Sequence, residues 1–251
     1  MELSVTEKER YARQIVLNGF GLEGQLRLKE SIVYVIGAGG LGSSLLLYLA
    51  AAGIGKLVII DGDKVQLNNL QRQIIFNNQQ LQKNKAAAAK DILQHLNEHT
   101  QVEVIETFIN SENIKKIVHE GSLIADCSDN FKTRFLINDY AVEHNCVHVS
   151  AAVYKHQIQF GVFNYPLENN ERSATLRCAF PESSMEEIQD SCAQTGVIGV
   201  VPGIGGMLIA AELIKIITQQ TDVQCNKLIT FDTNKMSIQH WQIQRKSNKQ
   251  K

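Results

Sequence analysis

The sequence lacks the features of a secreted or a nucleic-acid-coating protein. Its five cysteines are an odd number at irregular spacing, which excludes a disulfide framework and favours a reducing compartment, the cytoplasm. The net charge is only −1, and no basic stripe interleaved with aromatic residues is present, so we expect no nucleic-acid partner. The charged N-terminus also lacks the apolar core of a signal peptide.

A single stretch, residues 195–211, is nearly continuously apolar for about the length of a short membrane span. A proline and several glycines interrupt it, and Glu212 and Lys215 follow directly. We therefore expect a buried loop and helix here, and no membrane partner. The 251 residues, 44% of them apolar, are sufficient for one large α/β domain or two small ones.

The clearest pattern is a strand, a glycine turn, a helix and a second strand that ends at an acid. Residues 32–36 and 57–60 are predicted strands, and residues 43–52 are the predicted helix between them. The second strand runs into Asp61. A nucleotide-binding βαβ unit has this order of elements.

Each glycine of the turn has an expected role in that unit. Gly37 permits the tight turn, Gly39 lets a phosphate approach the backbone, and Gly42 lets the helix pack against the strand. The helix N-terminus offers N–H groups and a positive dipole end to an anion. Asp61 is placed to accept a hydrogen bond from a ribose hydroxyl. The sequence therefore predicts nucleotide binding.

A polar run, residues 64–73, follows the second strand and carries amide side chains and Arg72. Ligands bind at the carboxyl edge of parallel sheets, and arginine binds phosphate oxygens through two nitrogens. A polyphosphate site and an ordinary polar loop are both compatible with this run. Lys85 begins the next predicted helix, residues 85–97, and is either a further phosphate ligand or a solvated lysine.

A second acidic segment ends the predicted strand 123–126 and continues through Asp129 and Asn130. Asp129 suits Mg²⁺, which binds one or two carboxylates together with phosphate oxygens. Alternatively, Asp129 is the N-cap of the helix predicted at 131–145, and the two roles are compatible.

The remaining elements complete a mixed sheet. Further helices are predicted at 6–17, with Thr6 as cap and Glu9 three residues later, at 111–118, with Ser111 as cap, and at 206–218. Further strands are predicted at 102–106 and 147–150, with an antiparallel strand at 151–163 and a closing hairpin at 227–231 and 237–243. The predicted fold class is α/β: a Rossmann-like mixed sheet with a parallel nucleotide-binding half, antiparallel C-terminal strands and helices on both faces.

Two isolated residues are ambiguous. Arg13 lies in the first predicted helix, where a solvated arginine is commoner than a phosphate ligand. Cys192 lies in the irregular stretch 164–195 and precedes a glycine-rich run. A thiol beside a helix N-terminus has a lowered pKa and is nucleophilic, but free cysteines are more often simply buried.

Together these motifs resemble the ThiF/MoeB/HesA family, the bacterial relatives of ubiquitin-activating enzymes. The resemblance rests on Arg13-Gln14-Ile15, Gly37 to Gly42, Asp61-Gly62-Asp63, Asn68-Asn69-Leu70-Gln71-Arg72-Gln73, Lys85, Asp126-Cys127-Ser128-Asp129-Asn130 and Cys192-x-x-x-Gly196-Val197. It covers nearly the whole chain in unbroken order. It implies a single domain over 1–251, with an N-terminal helical segment (1–30), a nucleotide-binding half (31–150), a carrier-docking half (151–244) and a disordered tail (245–251).

The resemblance implies an adenylyltransferase. In this family the C-terminal Gly-Gly carboxylate of a ubiquitin-like sulfur carrier protein attacks the α-phosphate of MgATP, which gives an acyl-adenylate and pyrophosphate for sulfur transfer in thiamin or molybdenum-cofactor biosynthesis. It also implies a homodimer in which Arg13 reaches the partner subunit's site, and a sulfurtransferase or cysteine desulfurase as a further partner.

The same resemblance assigns roles to residues. Asp61 would hold the ribose, Asn69, Arg72 and Lys85 the phosphates, and Asp129 the Mg²⁺, while Cys192 aligns with a cysteine that in some members links covalently to the carrier. The full expected nucleotide site is Gly37, Gly39, Gly40, Gly42, Asp61, Asp63, Asn68, Asn69, Leu70, Gln71, Arg72, Lys85, Asp129 and Asn130. The expected catalytic residues are Arg13, Arg72, Lys85, Asp129 and Cys192.

The chain departs from the family at its structural zinc site. Many members bind zinc through two C-x-x-C pairs, but here the first pair falls at 175–178 with only Cys178 present, and no cysteine follows Cys225. Tetrahedral zinc needs four ligands, so we expect none, and the order of the loop 164–195 without it is left open.

Two other functional classes share part of the pattern. A nicotinamide-dependent dehydrogenase would have the glycine turn and Asp61, but it has no need of the phosphate-binding set of Asn69, Arg72, Lys85 and Asp129. A non-catalytic carrier-binding scaffold would keep the fold, and the intact phosphate-binding set argues against it.

Overall fold

The computed structural model describes residues 2–180 and 196–245. Within these ranges the strands form one mixed sheet of eight, in the order β3-β2-β1-β4-β5-β6-β7-β8. The strands are β1 Ile32–Ile36, β2 Lys56–Ile60, β3 Gln101–Ile105, β4 Leu123–Asp126, β5 Val147–Tyr154, β6 Gln157–Phe163, β7 Lys227–Asp232 and β8 Ser237–Gln242. Strands β1 to β5 are parallel, and β6, β7 and β8 join them antiparallel. The predicted fold class is confirmed.

Helices cover both faces of the sheet. They are α1 Val5–Arg10, α2 Ala12–Ile15, α3 Gly21–Glu30, α4 Gly40–Ala52, α5 Lys85–Leu96, α6 Ile114–Ile117, α7 Phe131–Glu143, α8 Leu176–Ala179 and α9 Val200–Ile217. Val33 and Val35 of β1 pack into a large core with α4, α5 and α9, whereas Tyr34 and Ile36 pack into a second core with α6 and α7. Burial on both faces explains the unbroken apolar run of this strand.

The strand order places the predicted site motifs side by side. Strand β1 lies between β2 and β4, so that Ile36 pairs with both Ile60 and Asp126 at the carboxyl edge. The segments that follow these three strands therefore begin at one edge of the sheet, where open α/β sheets bind ligands.

The long apolar helix α9 is a packed element of the core. By length and composition alone it would cross a membrane, but half of it is buried against the rest of the fold. Ser44 Oγ of α4 donates to the Gly203 carbonyl oxygen at 2.8 Å. The helix begins at Val200, six residues before the predicted start, and includes Pro202 in its first turn, where a missing N–H costs nothing.

Two glycines of α9 should respond oppositely to alanine. A Cβ at Gly206 would clash with the Leu41 carbonyl oxygen of α4, whereas a Cβ at Gly203 would meet no atom of the described residues within 4 Å. We expect Gly206→Ala to destabilise the protein by about 1–3 kcal/mol through overpacking. Gly203→Ala should stabilise it by up to about 1 kcal/mol, because alanine favours helix. Thermal melts of both variants test this packing. Equal changes in melting temperature for the two variants would contradict it.

The N-terminal prediction needs correction. The expected helix 6–17 is two short helices, α1 and α2, divided at the buried Tyr11. Ser4, not Thr6, caps the first: its Oγ accepts from Glu7 N at 3.2 Å, and the Glu7 carboxylate accepts from Ser4 N at 2.8 Å. The same capping spacing occurs at both positions, and Glu7 forms the box because its buried carboxylate also pairs with Lys29.

The boundaries of α6 and β5 also differ from the prediction. Helix α6 begins only at Ile114, after a turn in which Asn110 Oδ1 accepts from Asn113 N at 3.0 Å, so Ser111 is not its cap. Strand β5 continues to Tyr154 instead of ending at Ser150, and the antiparallel reversal comes at Lys155, which adopts φ +53°.

The C-terminal and loop predictions fall partly outside the described ranges. The predicted tail 245–251 begins with a residue that is held in place: Arg245 Nη1 donates to Asn164 Oδ1 at 2.9 Å and to the Ser173 carbonyl oxygen at 3.0 Å. Within the stretch predicted as a loop, residues 164–180 include the short helix α8.

Candidate active site

A cleft of about 620 Å³ lies at the carboxyl edge of β1, β2 and β4. It is lined by the glycine turn, by the polar run after β2, by the start of α5 and by the segment after β4. Most of the predicted nucleotide-site residues line it: Gly37, Gly39, Gly40, Asp61, Asp63, Asn69, Gln71, Arg72, Lys85, Asp129 and Asn130. Residues separated by up to about ninety positions in the chain are therefore brought to one place.

The glycine turn has the geometry that the sequence predicts. Gly37 adopts φ +98°, and a Cβ there would lie 2.8 Å from the Cys127 carbonyl oxygen. A Cβ at Gly42 would clash with the Gly37 carbonyl oxygen, so Gly42 permits close packing of α4 and does not line the cleft. No side chain of the described residues caps α4 at Gly39. Its first N–H groups therefore suit an anion.

Asp61 is fixed by backbone hydrogen bonds. Its carboxylate accepts from Ala38 N and from Asp63 N, each at 2.8 Å. Burial raises the pKa of this carboxyl, against the lowering effect of those two bonds and of the Lys85 charge. A carboxylate has about four acceptor positions, so two are left for further donors such as ribose hydroxyls.

Lys85 is buried and paired, so the interpretation as a solvated lysine is wrong. Its Nζ lies 2.9 Å from Asp63 Oδ2, with side-chain exposures of 8% for Lys85 and 56% for Asp63. Asn84 caps α5 by accepting from Ala87 N at 3.1 Å, which fixes the position where Lys85 begins the helix. The ammonium is thus held at the cleft by an exposed carboxylate.

Some residues of the polar run after β2 line the cleft, and others hold the run in place. Asn69 is buried, and its Oδ1 accepts from Gln66 N at 3.2 Å, which closes the 3₁₀ turn Leu67–Asn69. Arg72 Nη1 donates to the Asn68 carbonyl oxygen at 3.0 Å and leaves its other guanidinium nitrogens for the cleft. Asn68 and Leu70 do not line the cleft.

Asp129 is exposed and weakly held. Its Oδ1 accepts from Asn130 Nδ2 at 3.3 Å. Asn130, not Asp129, caps α7, because Asn130 Oδ1 accepts from Thr133 N at 2.9 Å. The alternative role of Asp129 as a helix cap is therefore wrong, and its carboxylate is available to a hard cation beside phosphates.

The segment that carries Asp129 is anchored by buried charges. Asp126 accepts from Ser128 N at 3.0 Å and from His148 Nε2 at 3.0 Å. Arg134, one turn into α7, donates to the Ser128 carbonyl oxygen and, at 2.8 Å, to the Ala151 carbonyl oxygen of β5. The peptide group just before Asp129 is thereby tied to the sheet.

One of the predicted catalytic residues does not line this cleft, and another lies outside the described residues. Arg13 is exposed on α2 and is not among the cleft residues of its own chain. Cys192 lies outside the described residues, between the ranges 2–180 and 196–245.

Several cleft residues were not predicted as site residues. They are chiefly Lys64, Gln66, Gln73, Phe108, Arg134 and Lys155. Lys64, Gln66 and Gln73 belong to the polar run, and Phe108 follows the carboxyl end of β3, so the edge rule that identified Asp61 identifies them too. Arg134 and Lys155 carry no comparable signal in the sequence.

Residues 175–178, at the position of the family's first C-x-x-C pair, do not provide the ligands that zinc needs. Thr175 Oγ1 lies 3.3 Å from Cys178 Sγ, in a hydrogen bond where a pair of thiolates would be needed. Within residues 2–180 and 196–245 no group of three or more His, Cys, Asp or Glu side chains is arranged to hold a metal ion. The absence of structural zinc stays a prediction.

Comparison with known proteins gives consistent relatives. Residues 11–251 match the model of the ThiF family. A protein of Thermus thermophilus named sulfur carrier protein adenylyltransferase is 37% identical over 98% of this chain and 90% of its own length. The adenylyltransferase and sulfurtransferase MOCS3 of Xenopus laevis is 37% identical over 95% of this chain, and the chain spans about half of that relative, 52%.

A solved structure extends the likeness to the fold. The crystal structure of Escherichia coli MccB with ATP superimposes with a TM-score of 0.82 at 26% identity, over 98% of this chain and 74% of that one. A family match over nearly all residues, the full-length relative and the shared fold lead to one conclusion: this chain is a member of the ThiF family.

Proposed function

We propose that this protein is an ATP-dependent adenylyltransferase that activates the C-terminal carboxylate of a ubiquitin-like sulfur carrier protein ending in Gly-Gly. The observation that carries the proposal is the convergence of Arg72, Lys85 and Asp129 on the cleft that holds the glycine turn and Asp61. The names of the relatives, sulfur carrier protein adenylyltransferase among them, support the same reaction.

ATP fits the order of groups along the cleft. Asp61 has acceptor positions for the ribose, the N-terminus of α4 suits the phosphates, and Arg72 and Lys85 add two cations. The MccB structure with ATP supports the choice of nucleotide. Asp129 would hold Mg²⁺, which when bound neutralises phosphate charge and favours departure of pyrophosphate.

The reaction requires the protein mainly to align the carboxylate with the α-phosphorus and to neutralise the charge of the phosphates. The carrier carboxylate attacks the α-phosphorus, a P–O bond forms to it, and the bond to the leaving pyrophosphate breaks. Lys85, held at the cleft by the exposed Asp63, is placed to stabilise the negative charge that moves onto the pyrophosphate. Fixed donors of this kind act without reorganisation, which suits a step that depends on alignment.

The dehydrogenase and the scaffold would each use fewer of the residues that line the cleft. A dehydrogenase would use the glycine turn and Asp61 but would leave Arg72, Lys85 and Asp129 without a role. A carrier-binding scaffold would need none of the phosphate-binding residues. The adenylyltransferase names among the relatives favour the catalytic interpretation over both.

The partners are part of the same proposal. We propose a homodimer in which the exposed Arg13 reaches the partner subunit's cleft, and a sulfurtransferase or cysteine desulfurase that supplies sulfur to the activated carrier. The name of the MOCS3 relative, adenylyltransferase and sulfurtransferase, supports such a coupling. The proposed location is the cytoplasm, and the proposed pathways are thiamin or molybdenum-cofactor biosynthesis.

The proposal predicts carrier-dependent exchange of labelled pyrophosphate into ATP. MgATP at about one hundred times its Kd should also stabilise the protein by about 2.7 kcal/mol, and NAD should not. Carriers from both pathways are tested, each with a matched form that lacks the terminal glycine. Exchange with one intact carrier and none with its truncated form supports the proposal. Stabilisation by NAD alone would favour the dehydrogenase, and absence of exchange with every carrier would favour the scaffold.

A further inference from the structure

The exposed Arg13 lies next to a side chain that ties its helix to the core. Gln14 is the following residue of α2, and it is partly buried whereas Arg13 is exposed. Gln14 Nε2 donates to Gln25 Oε1 at 2.8 Å and to the Ala52 carbonyl oxygen at 3.1 Å. Gln25 is fully buried on α3, and its Nε2 donates to the same carbonyl oxygen at 2.9 Å. One carbonyl oxygen at the end of α4 therefore joins α2, α3 and α4.

Helix α2 depends on these bonds for its position. It has only four residues, Ala12–Ile15, and so short a helix is not stable by itself. No side chain of the described residues caps its N-terminus. Tyr11, at that terminus, is buried, and its hydroxyl oxygen accepts from Asn97 Nδ2 at 2.8 Å. Tyr11 thus fixes the start of the helix, and Gln14 fixes the turn that carries Arg13.

The end of α4 has the shape that this contact requires. Gly53 ends the helix with φ +88°, and a Cβ there would lie 2.6 Å from Tyr11 Cζ and 2.7 Å from Gln25 Nε2. Glycine therefore lets both side chains approach the chain closely. The last carbonyl groups of a helix have no partner within it, so the Ala52 carbonyl oxygen can accept from the two glutamines.

Helix α4 separates this anchor from the cleft of the same chain. The helix has 13 residues, so its two ends lie about 20 Å apart. Its N-terminus is the glycine turn of the cleft, and Ala52 is its last residue. The anchor is at the end remote from the cleft, which explains why Arg13 does not line the cleft of its own chain. An arginine held there is available to a second chain.

We propose that Gln14 is a positioning residue, which holds α2 so that Arg13 reaches the cleft of the partner subunit. This inference rests on the proposed function and on the homodimer proposed with it. Loss of the Gln14 amide would leave the Arg13 side chain intact but without a fixed base. A small misplacement of a group that acts in a reaction can lower its rate about 100-fold, even when the substituted residue is far from the chemistry.

The test compares Gln14→Met with Gln80→Met. Both variants lose a hydrogen-bonded amide, since Gln80 Oε1 accepts from Asn77 N at 2.9 Å, and each should melt a few degrees lower than the wild type. Gln14→Met should also lower the maximal rate of carrier-dependent pyrophosphate exchange by about 10- to 100-fold. Gln80 does not line the cleft and bonds within its own turn, so Gln80→Met should keep the wild-type rate.

Mixing variants shows which cleft of the dimer Gln14→Met impairs. Mixing with Asp129→Ala should restore exchange, because the cleft of the Gln14→Met chain then receives a well-placed Arg13. Mixing with Arg13→Ala should restore none, because neither cleft receives a well-placed Arg13. A residue that only supports its own chain's cleft would give the reverse pattern, and a general loss of structure would give no recovery in either mixture. Either result, or a normal rate for Gln14→Met alone, would overturn the inference.

A second variant covers the case in which Gln14→Met does not fold. Gln14→Ala is then tested in the same mixtures, because alanine favours helix and leaves space for water at the anchor. Absence of exchange by the wild type would overturn the proposed function. Absence of recovery when Arg13→Ala is mixed with Asp129→Ala would overturn the proposed dimer. The inference about Gln14 would be wrong in both of these cases.

Discussion

Replacing Asp129 with alanine is expected to abolish carrier-dependent exchange of pyrophosphate into ATP, while the melting temperature changes little. The carboxylate is exposed, and the one hydrogen bond described for it comes from Asn130 Nδ2 at the long distance of 3.3 Å. Exposed substitutions of this kind change stability by about 0.5 kcal/mol or less. The loss of activity follows because Asp129 is the carboxylate proposed to hold Mg²⁺ beside the phosphates.

The matched control for Asp129→Ala is Asp91→Ala. Asp91 is also exposed, but it lies on α5 outside the cleft, so its removal should leave exchange unchanged. Normal exchange by Asp129→Ala would end the assignment of this residue to magnesium. A large fall in its melting temperature would instead show a structural role that the one described hydrogen bond of its side chain does not suggest.

The proposed dimer predicts that Arg13→Ala also loses exchange, because the partner subunit's cleft would then lack this arginine. Mixing this variant with Asp129→Ala tests the dimer in the same assay. A heterodimer of Arg13→Ala and Asp129→Ala chains would contain one site with both lesions and one site with neither. Subunit exchange between the two inactive proteins should therefore restore part of the activity. No recovery from a mixture shown to exchange subunits would contradict a site shared between subunits.

The parallel half of the sheet was predictable because its signals are local. The apolar run of β1, the positive φ of Gly37 and the acid at the end of β2 each follow from neighbouring residues. Parallel pairing then brings the segment after β4 to the same edge without further information. The ranges of β1 and β4 were correct for this reason.

Other features depend on contacts between segments far apart in the chain. The burial of Lys85 depends on Asp63, which lies 22 positions earlier, and the anchoring of the Ser128 peptide depends on Arg134 and on β5. The prediction named only Asp129 as a possible cap of α7, whereas the structure shows Asn130 in that position.

Asp126→Asn is expected to lower the melting temperature by roughly 10 °C at neutral pH. Asp126 is fully buried and accepts four hydrogen bonds, from Ser128 N, Ser128 Oγ, His148 Nε2 and Ser150 Oγ. Asparagine would present N–H donors to groups that already donate. Breaking a buried charged network costs about 3–5 kcal/mol, and each kcal/mol shifts a domain of this size by about 2–4 °C.

Asp139→Asn is the matched control, because Asp139 forms a partly exposed ion pair with Arg177, at 2.6 Å, whose loss should cost about 1 kcal/mol or less. A melting temperature for Asp126→Asn as close to the wild type as that of Asp139→Asn would show that the buried network does not stabilise the fold.

The pH dependence of the difference in melting temperature between wild type and Asp126→Asn tests whether the charge of Asp126 causes that difference. Burial by itself raises the pKa of Asp126, but the hydrogen bond from His148 and the charges of Arg134 and His148 outweigh it and lower the pKa from 3.8 to about 2. A carboxyl whose pKa is lower in the folded than in the unfolded protein stabilises the fold at pH values above its unfolded pKa. This stabilisation is lost as the pH falls through its folded pKa. The gap in melting temperature between wild type and Asp126→Asn should therefore be constant above about pH 4 and narrow towards pH 2. A gap that does not narrow would assign the loss of stability to packing.

Because Ser128 directly precedes Asp129, Asp126→Asn should also weaken exchange, which links the buried charge to the carboxylate proposed to hold the metal.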